Sequence, residues 1–196
     1  RVYNTCVDTP KYADQTGFLE KPGDLARSLL AQGITAMKVW PWDRFAPQMK
    51  VSAVTGPAAW SAVGPVGHDL LPGQLAQGLW TVHEMRKACG VISHSALEGH
   101  SRWHVNCALR IARAVEPYDV MWMEDFLQPD SAQDLARLVR ETRVPQTVSE
   151  RLITRHAYRR LLDADAAHVV MTDVIWTGGL SEALKIATLA DTHHLS

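Results

Sequence analysis

The sequence predicts an α/β fold of parallel strands and crossover helices, read as a (β/α) barrel of which about six units are present. Two observations carry this. Short β-like runs alternate with amphipathic stretches along nearly the whole chain, as parallel sheets require. Three of those runs end in glutamate at equal intervals of 26 residues, from 98 to 124 and from 124 to 150. That interval is roughly the length of one β/α unit. Alternation alone suits a doubly wound sheet as well as a barrel. No glycine-rich phosphate loop follows the first strand, which counts against a dinucleotide-binding domain.

Taken in order, Arg1–Cys6 reads as a strand, and Pro22-Gly23-Asp24 opens a helix that Gly33 closes. Ile34–Trp40 is the second strand, stopped by Pro41, and a helix over about Gln74–Ala88 ends at Gly90. Between them, Phe45 to about Pro72 is rich in Ala, Val, Gly and Pro without a clear period. It reads either as a long loop over the active face or as an excursion without a chemical role. Val91–Glu98 is a strand and Trp103–Val115 a helix with apolar residues at helical spacing. Val120–Phe126 is a strand, followed by a helix capped by Asp130 or Ser131 that ends before Val144-Pro145. Gln146–Glu150, His156–Asp163, His168–Trp176 and Ser181–Thr192 complete the alternation as strand, helix, strand and helix. A full eight-unit barrel takes about 250 residues, so residues 1–196 are expected to be part of one.

Composition narrows the function classes. The chain is 46% hydrophobic and carries 20 Lys+Arg against 21 Asp+Glu, a net charge of −1. No basic excess points to nucleic acid, and no apolar run approaches the roughly 20 residues that span a bilayer. Cys6, Cys89 and Cys107 show no metal or disulfide spacing, which fits a reducing, cytoplasmic compartment.

The chemistry centres on the three glutamates. A single Glu at a strand end ordinarily reads as a solvated or ion-paired loop residue. Three at equal spacing, each after an apolar strand, are expected at equal heights on neighbouring strands. In a barrel those ends face the active site. Converging carboxylates repel unless a cation holds them, and an all-oxygen set suits Mg2+. One unit later HVVMTD ends at Asp173. That residue reads as a fourth ligand, a cap, or the partner of a histidine base.

Several segments together resemble the enolase superfamily, and within it the mandelate-racemase-like acid-sugar dehydratases. They are MKVW at Met37–Trp40, LEGHSRW at Leu97–Trp103, MWMEDFLQPD at Met121–Asp130, VPQTVSERL at Val144–Leu152 and MTDVIWTGGLSEALKIA at Met171–Ala187. The resemblance implies a TIM-type barrel in which Glu98, Glu124 and Glu150 bind Mg2+. It also implies that Asp173 pairs with a histidine base at the end of the following strand, near position 200. His193 and His194 fall at a helix end and are not assigned that role. Lys38 matches the first lysine of the family's Lys-x-Lys pair, and Trp40 stands in place of the second, which argues against racemisation. His100 occupies a position where sugar-acid dehydratases of this family often carry a histidine. It is the expected general acid for a leaving hydroxyl, and strand alternation is expected to aim it to the same side as Glu98. Arg102, Trp40 and Trp103 are candidate contacts to a polyol chain. The expected reaction is Mg2+-dependent dehydration of a sugar acid to a 2-keto-3-deoxy acid. A cycloisomerase or epimerase, or a catalytically silent binding barrel, stands as the alternative. A small-molecule substrate, no nucleic acid or membrane partner, and a homo-oligomer are the expected partners.

Overall fold

The computed structural model describes residues 2–46, 68–90 and 94–195. Six parallel strands form one sheet: β1 (Asn4–Thr5), β2 (Ala36–Val39), β3 (His94–Glu98), β4 (Trp122–Glu124), β5 (Gln146–Val148) and β6 (Val169–Val170). Their order in the sheet is their order in the chain. A doubly wound sheet reverses its strand order at a switch point; a barrel does not. Among the described residues seven α-helices accompany the strands: α1 (Asp14–Glu20), α2 (Pro22–Ala31), α3 (Pro72–Cys89), α4 (Val105–Val115), α5 (Ala132–Glu141), α6 (Thr154–Leu162) and α7 (Leu180–Thr192). Each helix packs on the next one along the chain. The fold is therefore part of a TIM-type barrel, as the sequence predicts.

Side-chain alternation divides the strands between two environments. Met37 and Val39 on β2, Leu97 on β3 and Met123 on β4 are buried in the hydrophobic core. Helix α4 meets that core with Cys107, Ala108, Ile111, Ala112 and Val115, all fully buried and spaced as one helical face. The opposite side of the same strands carries the charged groups Lys38, Glu98 and Glu124, together with Ala96 and Trp122.

Several elements differ from expectation. The strands are shorter than their apolar runs, and the pairing of β6 stops at Val170, before Asp173. Residues 91–93 of the third expected strand, and 47–67 of the long period-free stretch, lie outside the described residues. Helix α1 was not expected. It is seven residues long, and Asp8 accepts the amides of Gln15 (2.7 Å) and Thr16 (3.2 Å) at its start. Helix α4 begins at Val105 rather than Trp103, which instead bridges to His68 in parallel. Ser131 holds the N-cap position of α5, but its hydroxyl donates to the Asp134 carboxylate instead of capping a backbone amide. None of the described helices is long and apolar enough to cross a membrane.

The turn after β2 is anchored by Trp42, whose Nε1 donates to the Leu75 carbonyl of α3 at 3.2 Å. Its ring seats on Gly78, where a Cβ would stand 2.1 Å from Trp42 Nε1. Gly78→Ala is expected to lower stability by about 1–3 kcal/mol through overpacking, read as a lower urea midpoint at unchanged slope.

Candidate active site

The interior side of β2, β3 and β4 carries a buried ion cluster. Lys38 Nζ donates to Glu98 Oε2 at 3.0 Å and to Glu124 Oε1 at 2.5 Å. The register explains why: Glu98 and Glu124 are direct strand partners, and Lys38 pairs with Ala96, two residues below Glu98. Tyr3 lies under the ammonium, its ring centre 5.8 Å from Nζ, and meets Trp122 edge-on at 5.6 Å. Trp122 Nε1 in turn donates to Glu124 Oε2 at 3.2 Å. Burial works against the Lys38 ammonium, yet the two carboxylates outweigh it and hold its pKa above the ordinary value. Burial, then the charge of Glu98, push the Glu124 carboxyl up to about 9. Burial also acts to raise Glu98, but the charges of His100 and Lys38 hold it below the ordinary range. Of the two carboxyls, Glu98 is the one whose ionised form its surroundings favour.

His100 adjoins this cluster through its backbone. Glu98 Oε1 accepts the amides of Gly99 (3.2 Å) and His100 (2.9 Å). Gly99 is required there, because a Cβ would come within 2.6 Å of the Phe126 Cα. His100 and Ser101 both adopt left-handed backbone angles, φ 46° and 58°. Strand alternation therefore ends before His100, and its placement comes from the turn. The imidazole Nδ1 lies 2.5 Å from Asp43 Oδ2, and Trp40 meets the ring edge-on at 5.5 Å. Burial disfavours the imidazolium, but the Asp43 hydrogen bond and the charge of Glu98 outweigh it and raise the His100 pKa. Arg102 Nε stands 3.6 Å from the same Asp43 oxygen.

The remaining candidates fall elsewhere. Glu150 does not match Glu124 in height: the strand partner of Glu124 is Thr147, three residues earlier, and β5 ends at Val148. Equal spacing along the chain is not equal height where neighbouring strands are staggered. Trp103 is buried in the core and presents no surface to a ligand. Asp173 ends no strand; its Oδ1 accepts the amides of Ile175 (2.8 Å) and Trp176 (2.9 Å), capping the turn before α7. Two residues escaped the sequence reading. Asp43 had no signal beyond being acidic after a strand. Asp125 directly follows Glu124, is buried, and accepts the Ser149 hydroxyl at 2.7 Å. Its carboxyl is pushed up to about 7 by burial and the charge of Glu98, which the Ser149 hydrogen bond opposes.

The donor set has the chemistry of a hard-cation site. Two buried carboxylates already converge on one positive group, and every candidate ligand is oxygen. Among the described residues, no three His, Cys, Asp or Glu side chains stand close enough to hold a metal ion. Glu98 and Glu124 fit such an ion as they are, and Glu150 would have to close on them.

A family model described as enolase C-terminal domain-like matches residues 22–196. The chain belongs to this family. Among relatives of the enolase fold, an enolase of the mandelate racemase subgroup from Agrobacterium tumefaciens is 39% identical, with a TM-score of 0.75 over 89% of this chain and 44% of that one. An enolase protein from Sargasso Sea environmental shotgun sequencing is 36% identical, with a TM-score of 0.78 over 91% of this chain and 44% of that one. D-galactonate dehydratase of Ralstonia nicotianae is 31% identical over 115 residues, which cover 59% of this chain and 30% of that protein. The chain spans less than half the length of each of these relatives.

Proposed function

We propose that this enolase-family chain forms part of the catalytic barrel of a Mg2+-dependent acid-sugar dehydratase. The observation that carries the reading is His100 set directly beside the Glu98–Glu124 pair, its amide on Glu98 and its ring held at the strand ends. The partial likeness to a D-galactonate dehydratase supports the same class.

Glu98, Glu124 and Glu150 would hold the Mg2+. Bound there, the ion would take the substrate carboxylate and withdraw charge as the α-proton leaves. The chain's own residues supply the rest. Lys38 keeps positive charge between Glu98 and Glu124, where the carboxylate end of a substrate would lie. Its ammonium is fastened to two acceptors, which makes it a counter-charge and not a base. Asp173 Oδ1 accepts two backbone amides, and Oδ2 would orient a histidine that removes the α-proton. His100 delivers a proton to the β-hydroxyl, which leaves as water. The C–O bonding pair goes with that oxygen, and the electrons freed at the α-carbon form the new double bond. The resulting enol gains a proton at carbon to give the 2-keto-3-deoxy acid. Trp40 walls one side of the His100 ring, and Arg102 would meet hydroxyls of the substrate beyond it.

The test is a panel of sugar acids with full-length protein and Mg2+, followed by 2-keto-3-deoxy acid formation. His100→Asn is expected to lower kcat by about 10²–10⁴-fold, the range for a lost general acid, with Mg2+ affinity retained. Wild-type turnover in that variant removes His100 from the mechanism. An isomerised product with no water lost points instead to a cycloisomerase or epimerase.

A further inference from the structure

The loop after β2 contributes to the site in a way the enolase-family match does not assign. Val39 pairs with Leu97, so the chain ends leaving β2 and β3 start side by side. Four residues past Val39, Asp43 opens a short 3-10 turn; three past Leu97 stands His100. Asp43 is 8% exposed, and its Oδ1 has no hydrogen-bond partner among the described residues. Its other oxygen is spent on the imidazole, at 2.5 Å from Nδ1.

A buried carboxylate with one oxygen unsatisfied is costly to keep for structure alone. The backbone of its partner is costly as well: a left-handed histidine followed by a left-handed serine is retained only where surroundings over-determine it. Here they do. The His100 amide is tied to Glu98 Oε1 (2.9 Å), the Ser101 amide to the Asp125 carbonyl (2.5 Å) and the Arg102 amide to the Gly99 carbonyl (3.1 Å). Trp40 closes one side of the ring edge-on. With the backbone pinned and one face walled, the Nδ1 bond settles the ring's orientation. A carboxylate on Nδ1 accepts its N–H and leaves Nε2 as the nitrogen turned to a ligand, the arrangement by which an acidic group orders a catalytic imidazole.

We propose that Asp43 is a positioning residue that fixes the His100 ring, so that Nε2 is the atom delivering the proton to the leaving hydroxyl. Arg102, 3.6 Å from the same oxygen, holds Asp43 in place. The inference rests on the reading of His100 as general acid. A purely structural role, pinning the β2 turn to the β3 turn, makes a different forecast.

The experiment uses full-length protein with 15N-labelled histidine, as wild type, Asp43→Asn and Asp43→Glu. The His100 ring signals are assigned by their loss in His100→Asn. Wild type is expected to show a strongly downfield Nδ1-bound proton that disappears or moves well upfield in Asp43→Asn, while the rest of the spectrum stays dispersed. On sugar acids that the wild type dehydrates, with D-galactonate as first probe, Asp43→Asn is expected to lose on the order of 10²-fold in kcat. KM is expected to stay within about threefold, and Asp43→Glu to recover part of kcat. An unchanged Nδ1 signal in Asp43→Asn overturns the proposal, as does an unchanged kcat alongside a changed signal. If the wild type dehydrates no sugar acid, the dehydratase reading falls, while the ring signals still decide whether Asp43 governs His100.

Discussion

Lys38→Met is expected to cost about 3 kcal/mol or more of folding stability, the lower part of the range for removing one partner from a buried ion pair. Lys38 is 7% exposed and is the one cation hydrogen-bonded to both Glu98 and Glu124 among the described residues. Methionine keeps the volume and leaves the charge out. Two adjustments soften the loss without removing it. Burial and the charge of Glu98 favour the protonated form of Glu124, so the uncompensated charge rests chiefly on Glu98. Glu98 also keeps the two backbone amides of Gly99 and His100. For a chain of this size a loss of 3 kcal/mol lowers Tm by about 6–12 °C, a shift calorimetry resolves. A divalent cation bound to the native state alone stabilises it by mass action. Millimolar Mg2+ is therefore expected to raise the Tm of Lys38→Met more than that of the wild type, since the ion replaces the missing charge. A variant as stable as wild type would show that the cluster tolerates an unpaired carboxylate and that the ammonium is not its counter-charge.

Much of the fold is legible in the residues because it rests on short-range regularities. Strand–helix alternation and the residues that close each helix place all six strands, and the order of the family segments chooses the barrel. What escaped depends on partners far along the chain or outside the element. Helix α1 is too short to show a period, and its first amides are held by Asp8, which lies outside it. Trp103 looks like a helix start, yet it sits in an extended bridge to His68. The strand run through Val169 and Val170 continues in apolar residues, but the ladder stops where the Asp173 turn takes over the amides of Ile175 and Trp176.

The site divides in the same way. Glu98 and Glu124 were found because a repeat of one unit length puts identical residues on neighbouring strands, and the register makes them partners. The same arithmetic misplaced Glu150 in height, because stagger between strands is not written in the spacing. His100 was singled out by likeness, but the reason given for its direction fails at its left-handed backbone. Asp43 lies 57 residues from His100, and only the β2–β3 pairing brings them together. No local pattern announces such a contact. Asp125 was masked by its neighbour: in MWMEDF only the glutamate falls on the 26-residue interval, whereas the structure buries both.

Glu98→Gln is expected to have the broadest effect on function, on turnover and on ion binding together. Glu98 is the residue through which Lys38, Glu124 and the His100 turn are joined. One oxygen accepts Lys38, the other accepts the turn that carries His100, and its strand partner is Glu124. The amide is isosteric and its oxygen can keep the two backbone hydrogen bonds, so the turn and the placement of His100 are expected to survive. Its NH2 then faces the Lys38 ammonium, donor against donor, and the ionised carboxylate of the cluster is gone. Metal-assisted charge stabilisation is worth several kcal/mol in the transition state, and each 1.36 kcal/mol is tenfold in rate. Loss of about 3–4 kcal/mol lowers kcat by roughly 10²–10³-fold. Titration calorimetry with Mg2+ is expected to show binding weakened at least as much. The contrast with His100→Asn is the informative part: that variant should lose turnover and keep the ion, whereas Glu98→Gln should lose both. If Glu98→Gln binds Mg2+ like wild type, the ion lies elsewhere, and the carboxylates of β3 and β4 serve only to hold Lys38.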